Sequence, residues 1–101
     1  MKRKVERERL LRVLAKHEPE LARMGVRSIG LFGSAARGES EAASDLDFLV
    51  EFDRKSFDAY MDVKEFLEEL FGCKADVVIA DNLKPRLKPT ILAETVYASR
   101  L

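Results

Sequence analysis

One cysteine in 101 residues, Cys73, has nothing to pair with inside the chain. A disulfide-stapled fold is excluded, and a reducing, cytoplasmic setting is expected. Cys73, just after Gly72, reads as a small packing residue. The single histidine, His17, has no partner at metal-ligand spacing and reads as a solvated helix-end residue. Neither sign of charge dominates, since 18 basic residues balance 18 acidic ones. An electrostatic grip on nucleic acid needs a basic excess, so nucleic acid is not an expected direct partner. No apolar run approaches the roughly 20 residues of a membrane span. The charged N-terminus also lacks the apolar stretch of a signal peptide, so no membrane association is expected. Neither an internal repeat nor a low-complexity linker is present. What remains is 47% apolar and 36% charged, enough for one core in a single domain over 1–101. Such charge richness is in keeping with a thermophilic source.

Residues 3–17 form a charged helix with Val5, Leu10, Val13 and Leu14 on its apolar side. Leu21 and Met24 extend that cover after a break at Pro19, and Gly25 ends it. Residues 26–32 and 46–52 are expected strands, joined by a short helical turn and a polar connection. Residues 56–71 carry Phe57, Tyr60, Met61, Lys64, Leu67 and Phe71 at spacings of three and four, an amphipathic helix whose stripe is expected in the core. Gly72 stops it. A third strand is expected over 75–80. Pro89 suits the first turn of a last helix over 89–99, with Ile91, Leu92, Val96 and Tyr97 packing on the sheet. The order α, β, short α, β, α, β, α is an α/β arrangement, a small sheet covered by helices.

The chemistry concentrates between the first two strands. Val26, Ile29, Leu31 and Phe32 end in Gly33-Ser34, then ten residues lead to Asp45-Leu46-Asp47. Alternation along a strand puts Asp45, Asp47 and Leu49 on one face and Leu46, Phe48 and Val50 on the other. Adjacent carboxylates repel, and a cation between them relieves the repulsion. Oxygen-only ligands suit Mg²⁺ or Mn²⁺ rather than zinc. The preceding turn suits phosphate: Gly33 permits close backbone approach, Ser34 offers a hydroxyl, and Arg37 adds a fixed positive charge before Gly38. A phosphate cradle facing a carboxylate site is the layout for metal-assisted chemistry on a nucleoside triphosphate. Asp76, the polar residue in Ala75-Asp76-Val77-Val78-Ile79-Ala80, would join Asp45 and Asp47 if its strand lies beside 46–52. Three carboxylates could then hold two ions.

Each feature also has a structural explanation. Gly33-Ser34 could be a strand-to-helix turn with a serine cap, Asp45 a strand-end cap, and Asp47 a solvent-facing side chain. Asp76 could pair with Lys74 at a strand edge. Arg37 could form an ion pair with Glu39 or Glu41. The N-terminal helix could be a solvated face with one side free for a partner.

Together, Gly33-Ser34, Ala35-Ala36-Arg37-Gly38 and Ser44-Asp45-Leu46-Asp47 resemble the minimal nucleotidyltransferase (MNT) domain of the polymerase-β superfamily, over about Val26 to Tyr97. The most similar form is the MNT antitoxin that pairs with a HEPN ribonuclease toxin. The resemblance implies a small nucleotidyltransferase-type mixed sheet flanked by helices. It implies metal and catalytic roles for Asp45, Asp47 and Asp76, and nucleotide contacts from Gly33, Ser34 and Arg37. It further implies Mg²⁺ (two ions), ATP as substrate, and AMP transfer to a tyrosine of a HEPN-type toxin within a hetero-oligomer. The alternative is a non-catalytic antitoxin or binding module that neutralises its partner by covering it. Transfer to a small molecule or an RNA end is disfavoured, because a minimal domain has no second domain to hold such a substrate.

Overall fold

In the computed structural model, residues 7–37, 45–54 and 56–100 are described. The apolar runs on either side of the Gly-Ser turn fold as strands β1 (Val26–Phe32) and β2 (Leu46–Phe52), paired antiparallel. Helix α4 (Phe57–Phe71) carries the chain to strand β3 (Ala75–Ile79), which runs parallel to β2. The start of α4 is fixed by Ser56, whose side chain accepts the Ala59 N–H at 3.0 Å. Its end is fixed by Gly72, left-handed at φ 67°. Before β1, helices α1 (Arg7–Lys16) and α2 (Glu18–Arg23) are separated at His17, with Pro19 in the first turn of the second. Residues 3–6 of the expected first helix lie outside the described residues.

Alternation divides the sheet into two unlike faces. Ile29, Leu31, Leu46, Phe48, Val50, Ala75 and Val77 meet Leu10, Leu14, Leu21, Val63 and Leu67 of the helices in one core. The opposite face carries Phe32, Asp47 and Asp76 in one row and Gly30, Leu49 and Val78 in the next. The chemistry therefore lies on the face that α1, α2 and α4 leave uncovered.

The C-terminal segment departs from the expected helix over 89–99. Helix α5 spans only Lys88–Glu94, and strand β4 (Val96–Arg100) follows, antiparallel to β1, giving the order β3-β2-β1-β4. Thr95 closes the helix, donating its hydroxyl to the Ile91 C=O at 2.7 Å, and Val96 and Tyr97 then pair with Leu31 and Gly30. Pairing with β1 outweighs the helical spacing of Ile91, Leu92 and Val96. β3 ends at Ile79, and Ala80–Asn82 turn in a short 3₁₀ helix. Phe57 is also not a core residue: it is 75% exposed, because the first residue after the Ser56 cap overhangs the core, while Tyr60, Phe66 and Phe71 pack against it. His17 is not simply solvated, since its Nδ1 lies 2.6 Å from Glu20 Oε2 and its ring meets Phe66 edge-on. Cys73 packs against the core as expected. None of the described helices is long and apolar enough to cross a membrane.

Candidate active site

The site is assembled where β1 ends and where β2 and β3 begin. Gly33 leaves β1 with a left-handed backbone at φ 69°, a conformation that favours glycine. Gly33–Ala36 make one helical turn (α3), and the Arg37 N–H donates to the Gly33 C=O at 3.3 Å. Arg7 Nη1 donates to the Ala36 C=O at 3.0 Å and ties α1 to this turn. A second backbone link fastens the far side: the Leu46 N–H donates to the Lys74 C=O at 3.0 Å, locking the starts of β2 and β3 together.

That register makes Asp47 and Asp76 direct neighbours, with Phe32 on the other side of Asp47. A β-carbon on Gly33 would lie 2.5 Å from Oδ2 of Asp47. The turn and the carboxylate thus face each other without room for a side chain between them. Asp47 is half-buried, and its carboxyl is held above the ordinary aspartate value. Burial is the first cause, followed by the Asp76 charge, a hydrogen bond with Asp76 and the Asp45 charge. Asp76 therefore meets Asp47 rather than Lys74. Asp45, exposed just before β2, enters as a nearby charge.

The expected six residues come to one end of the sheet, but not all as direct neighbours. Among the described residues, no three or more His, Cys, Asp and Glu side chains are gathered to hold an ion by themselves. The donor set nevertheless fits a hard cation. It is anionic and all-oxygen, its central carboxyl is raised in pKa, and a divalent ion would relieve the Asp47–Asp76 repulsion. Phosphate oxygens of a nucleotide would supply further ligands.

Arg37 Nη1 lies 3.7 Å from Glu94 Oε1 on α5. The expected alternatives, Glu39 and Glu41, lie outside the described residues, as do Gly38 and Ser44. Two supporting groups are not visible in the sequence pattern. Glu94 is hidden because its proximity to Arg37 is long-range. Glu68 accepts the Lys64 Nζ and the Ala75 N–H, both at 3.1 Å, so α4 braces the residue before Asp76. Only the Lys64–Glu68 spacing of four is legible. The Ala75 amide, then Lys64, lower the Glu68 pKa.

The nucleotidyltransferase domain family matches residues 9–98. Over 87 residues the chain is 42% identical to the protein adenylyltransferase MntA of Thermococcus cleftensis, an alignment spanning 84% of this chain and 88% of that relative. It is 36% identical to the solved structure of a candidate minimal nucleotidyltransferase, with a TM-score of 0.77 over 91% of this chain and 95% of the other. The fold alone is shared, at 16% identity and a TM-score of 0.63, with a re-refined complex of the tri-AMPylated Shewanella oneidensis HEPN toxin and its MNT antitoxin, covering 90% of this chain and 73% of that one. With the family pattern running from α1 into β4, and with Asp47 set against the Gly33 turn, the chain belongs to the nucleotidyltransferase domain family and is an enzyme of its minimal kind.

Proposed function

We propose that the protein transfers AMP from ATP to a tyrosine hydroxyl of a HEPN-type ribonuclease toxin and thereby acts as the antitoxin of a hetero-oligomeric cytoplasmic pair. The observation that carries the reading is the Asp47–Asp76 pair closed against the left-handed turn at Gly33. The adenylyltransferase name of the Thermococcus cleftensis relative supports AMP as the transferred group.

Asp45 and Asp47, with Asp76, would hold Mg²⁺, which when bound neutralises charge on the phosphates and on the entering and leaving oxygens. Gly33 lets the triphosphate approach the backbone, Ser34 offers its hydroxyl, and Arg37 supplies positive charge from the end of the turn. The exposed Arg37–Glu94 pair is worth at most about 1 kcal/mol, so a triphosphate can compete for the guanidinium. The acceptor oxygen forms a bond to the α-phosphorus while the bond to the pyrophosphate oxygen breaks. The hydroxyl proton passes to Asp76 or to solvent. These residues act by position and charge, with no covalent enzyme intermediate.

The reading is tested by the intact mass of a HEPN-type partner after incubation with this protein, ATP and Mg²⁺. One or more AMP additions, lost with Asp45→Asn, are expected. Neutralisation of the partner without a mass gain, unchanged in that variant, hands the function to the binding-module alternative.

A further inference from the structure

β3 is an edge of the described sheet, with β2 on one side and no strand on the other. Two hydrogen bonds fix which of its main-chain groups point outward. The Lys74 C=O accepts from Leu46 on β2 at 3.0 Å, so Lys74 faces inward. The N–H of the next residue, Ala75, donates at 3.1 Å to Glu68 on α4, away from β2. Main-chain groups alternate sides along a strand, so Asp76 and Val78 face β2 while Val77 and Ile79 face outward. Glu68 occupies this edge at Ala75. Beyond it, Val77, Val78 and Ile79 open on a groove of about 580 Å³ whose other walls are Ser56, Phe57, Tyr60 and Asn82.

Sheet edges are commonly blunted by lysine, proline or a bulge. Val77-Val78-Ile79 contains neither residue type. Among the described residues, no charged side chain lines the groove, although charged residues make up 36% of the chain. We infer that this edge takes up an extended, uncharged segment of the acceptor protein as an added strand; the inference rests on the protein-adenylylation reading. The Ile79 C=O is taken up by the 3₁₀ turn that follows, which leaves the outward N–H and C=O of Val77 and the outward N–H of Ile79, a row that another main chain matches and that is longer than the single donor–acceptor pair of a nucleotide base. The apolar side chains among the described lining residues complement apolar side chains of a partner, and Phe57, 75% exposed, offers them a ring. The edge is also continuous with the surface an acceptor must reach, because Asp76 lies on the same strand, between the capped Ala75 and the open Val77.

An added strand lies about 4.8 Å from its neighbour, with directly opposed side chains on the same face. The acceptor side chain opposite Asp76 thus emerges on the face shared with Asp47, and its hydroxyl comes beside the paired carboxylates. Apolar side chains farther along the segment settle on Phe57 and Tyr60. Main-chain pairing therefore does the work of an acceptor pocket.

The test combines hydrogen–deuterium exchange with kinetics, using the full chain and a co-expressed HEPN-type protein as the probe. Expected are slowed exchange of the Val77 and Ile79 amides in the complex and at least a tenfold rise in KM for the partner with Phe57→Glu. ATP affinity is measured in parallel by calorimetry. AMP addition without protection of those amides and without a Phe57→Glu effect overturns the docking site and leaves the activity standing. A loss of ATP affinity in Phe57→Glu assigns the groove to the nucleotide and overturns it as well. Protection that depends on the concentration of this chain alone assigns the edge to a second copy and likewise overturns the docking site. If wild type adds no AMP to the partner, both readings fall.

Discussion

Asp47 and Asp76 stand directly opposite each other in a parallel ladder, two acids on one face of adjacent strands. Burial, then the Asp76 charge, holds the Asp47 carboxyl above its ordinary value. The unfolded chain thus gives up this proton more readily than the folded one. Without metal, the folded state is increasingly penalised as pH rises from the ordinary aspartate range through the raised pKa, and the full penalty applies above it. Asp47→Asn is therefore expected to raise Tm near neutral pH in chelator. The gain is at most about 1 kcal/mol after solvent screening and fades below about pH 4. Mg²⁺ reverses the order, because an ion that binds the native state stabilises wild type by mass action and the variant misses that gain. Calorimetric scans with chelator and with Mg²⁺ check both signs. A variant that is less stable in chelator at neutral pH refutes the repulsion.

Gly33→Ala is expected to damage activity more than stability. The left-handed backbone costs a non-glycine residue about 1–2 kcal/mol. The new methyl also displaces the Asp47 carboxylate, which lies 2.5 Å from its ideal position. Relieving that contact moves the carboxylate by roughly 1 Å, a misplacement that lowers kcat by roughly a hundredfold. Ser34→Ala is milder, removing one contact worth about 1 kcal/mol. Adenylylation rates and denaturant titrations of the two variants separate these effects.

Gly30→Ala tests β4, the strand that replaces the end of the expected last helix. A β-carbon there would lie 2.7 Å from Thr95 Cγ2, 2.8 Å from the Val96 C=O oxygen and 3.1 Å from the Tyr97 Cα. Two of these are backbone atoms and give way only if β4 shifts. A loss of about 1–3 kcal/mol is expected, seen as a lower denaturation midpoint with an unchanged m-value. Wild-type stability in this variant contradicts the β1–β4 pairing.

Glu94→Gln is expected to lower KM for ATP by a few-fold, since the competing charge on Arg37 is worth at most about 1 kcal/mol. Arg37→Ala shifts KM the other way. Steady-state kinetics at low salt are the check, because the exposed pair is screened as ionic strength rises.

Where local chemistry decides structure, the sequence is a sufficient guide. Ser56 and Gly72 bracket α4, alternation marks β1 and β2, and Gly33-Ser34 with Asp45 and Asp47 mark the site. Asp76 is legible only as an odd carboxylate in an apolar strand, and its place beside Asp47 needs the β2–β3 register. β4 is illegible because Ile91, Leu92 and Val96 fit a helical spacing as well as a strand after a break, and pairing with β1 decides it. Phe57 has the right spacing for the core, but spacing does not tell where the helix overhangs it.

The parallel β2–β3 ladder makes catalytic competence a measure of strand register. A slip of one residue would turn Asp76 toward the helices and set an alanine or a valine beside Asp47, while leaving every helix intact. During refolding, helical signal can return while the ladder is still searching for its alignment. Enzymatic activity should recover later than far-ultraviolet dichroism, and the lag between them times the arrival of the correct register.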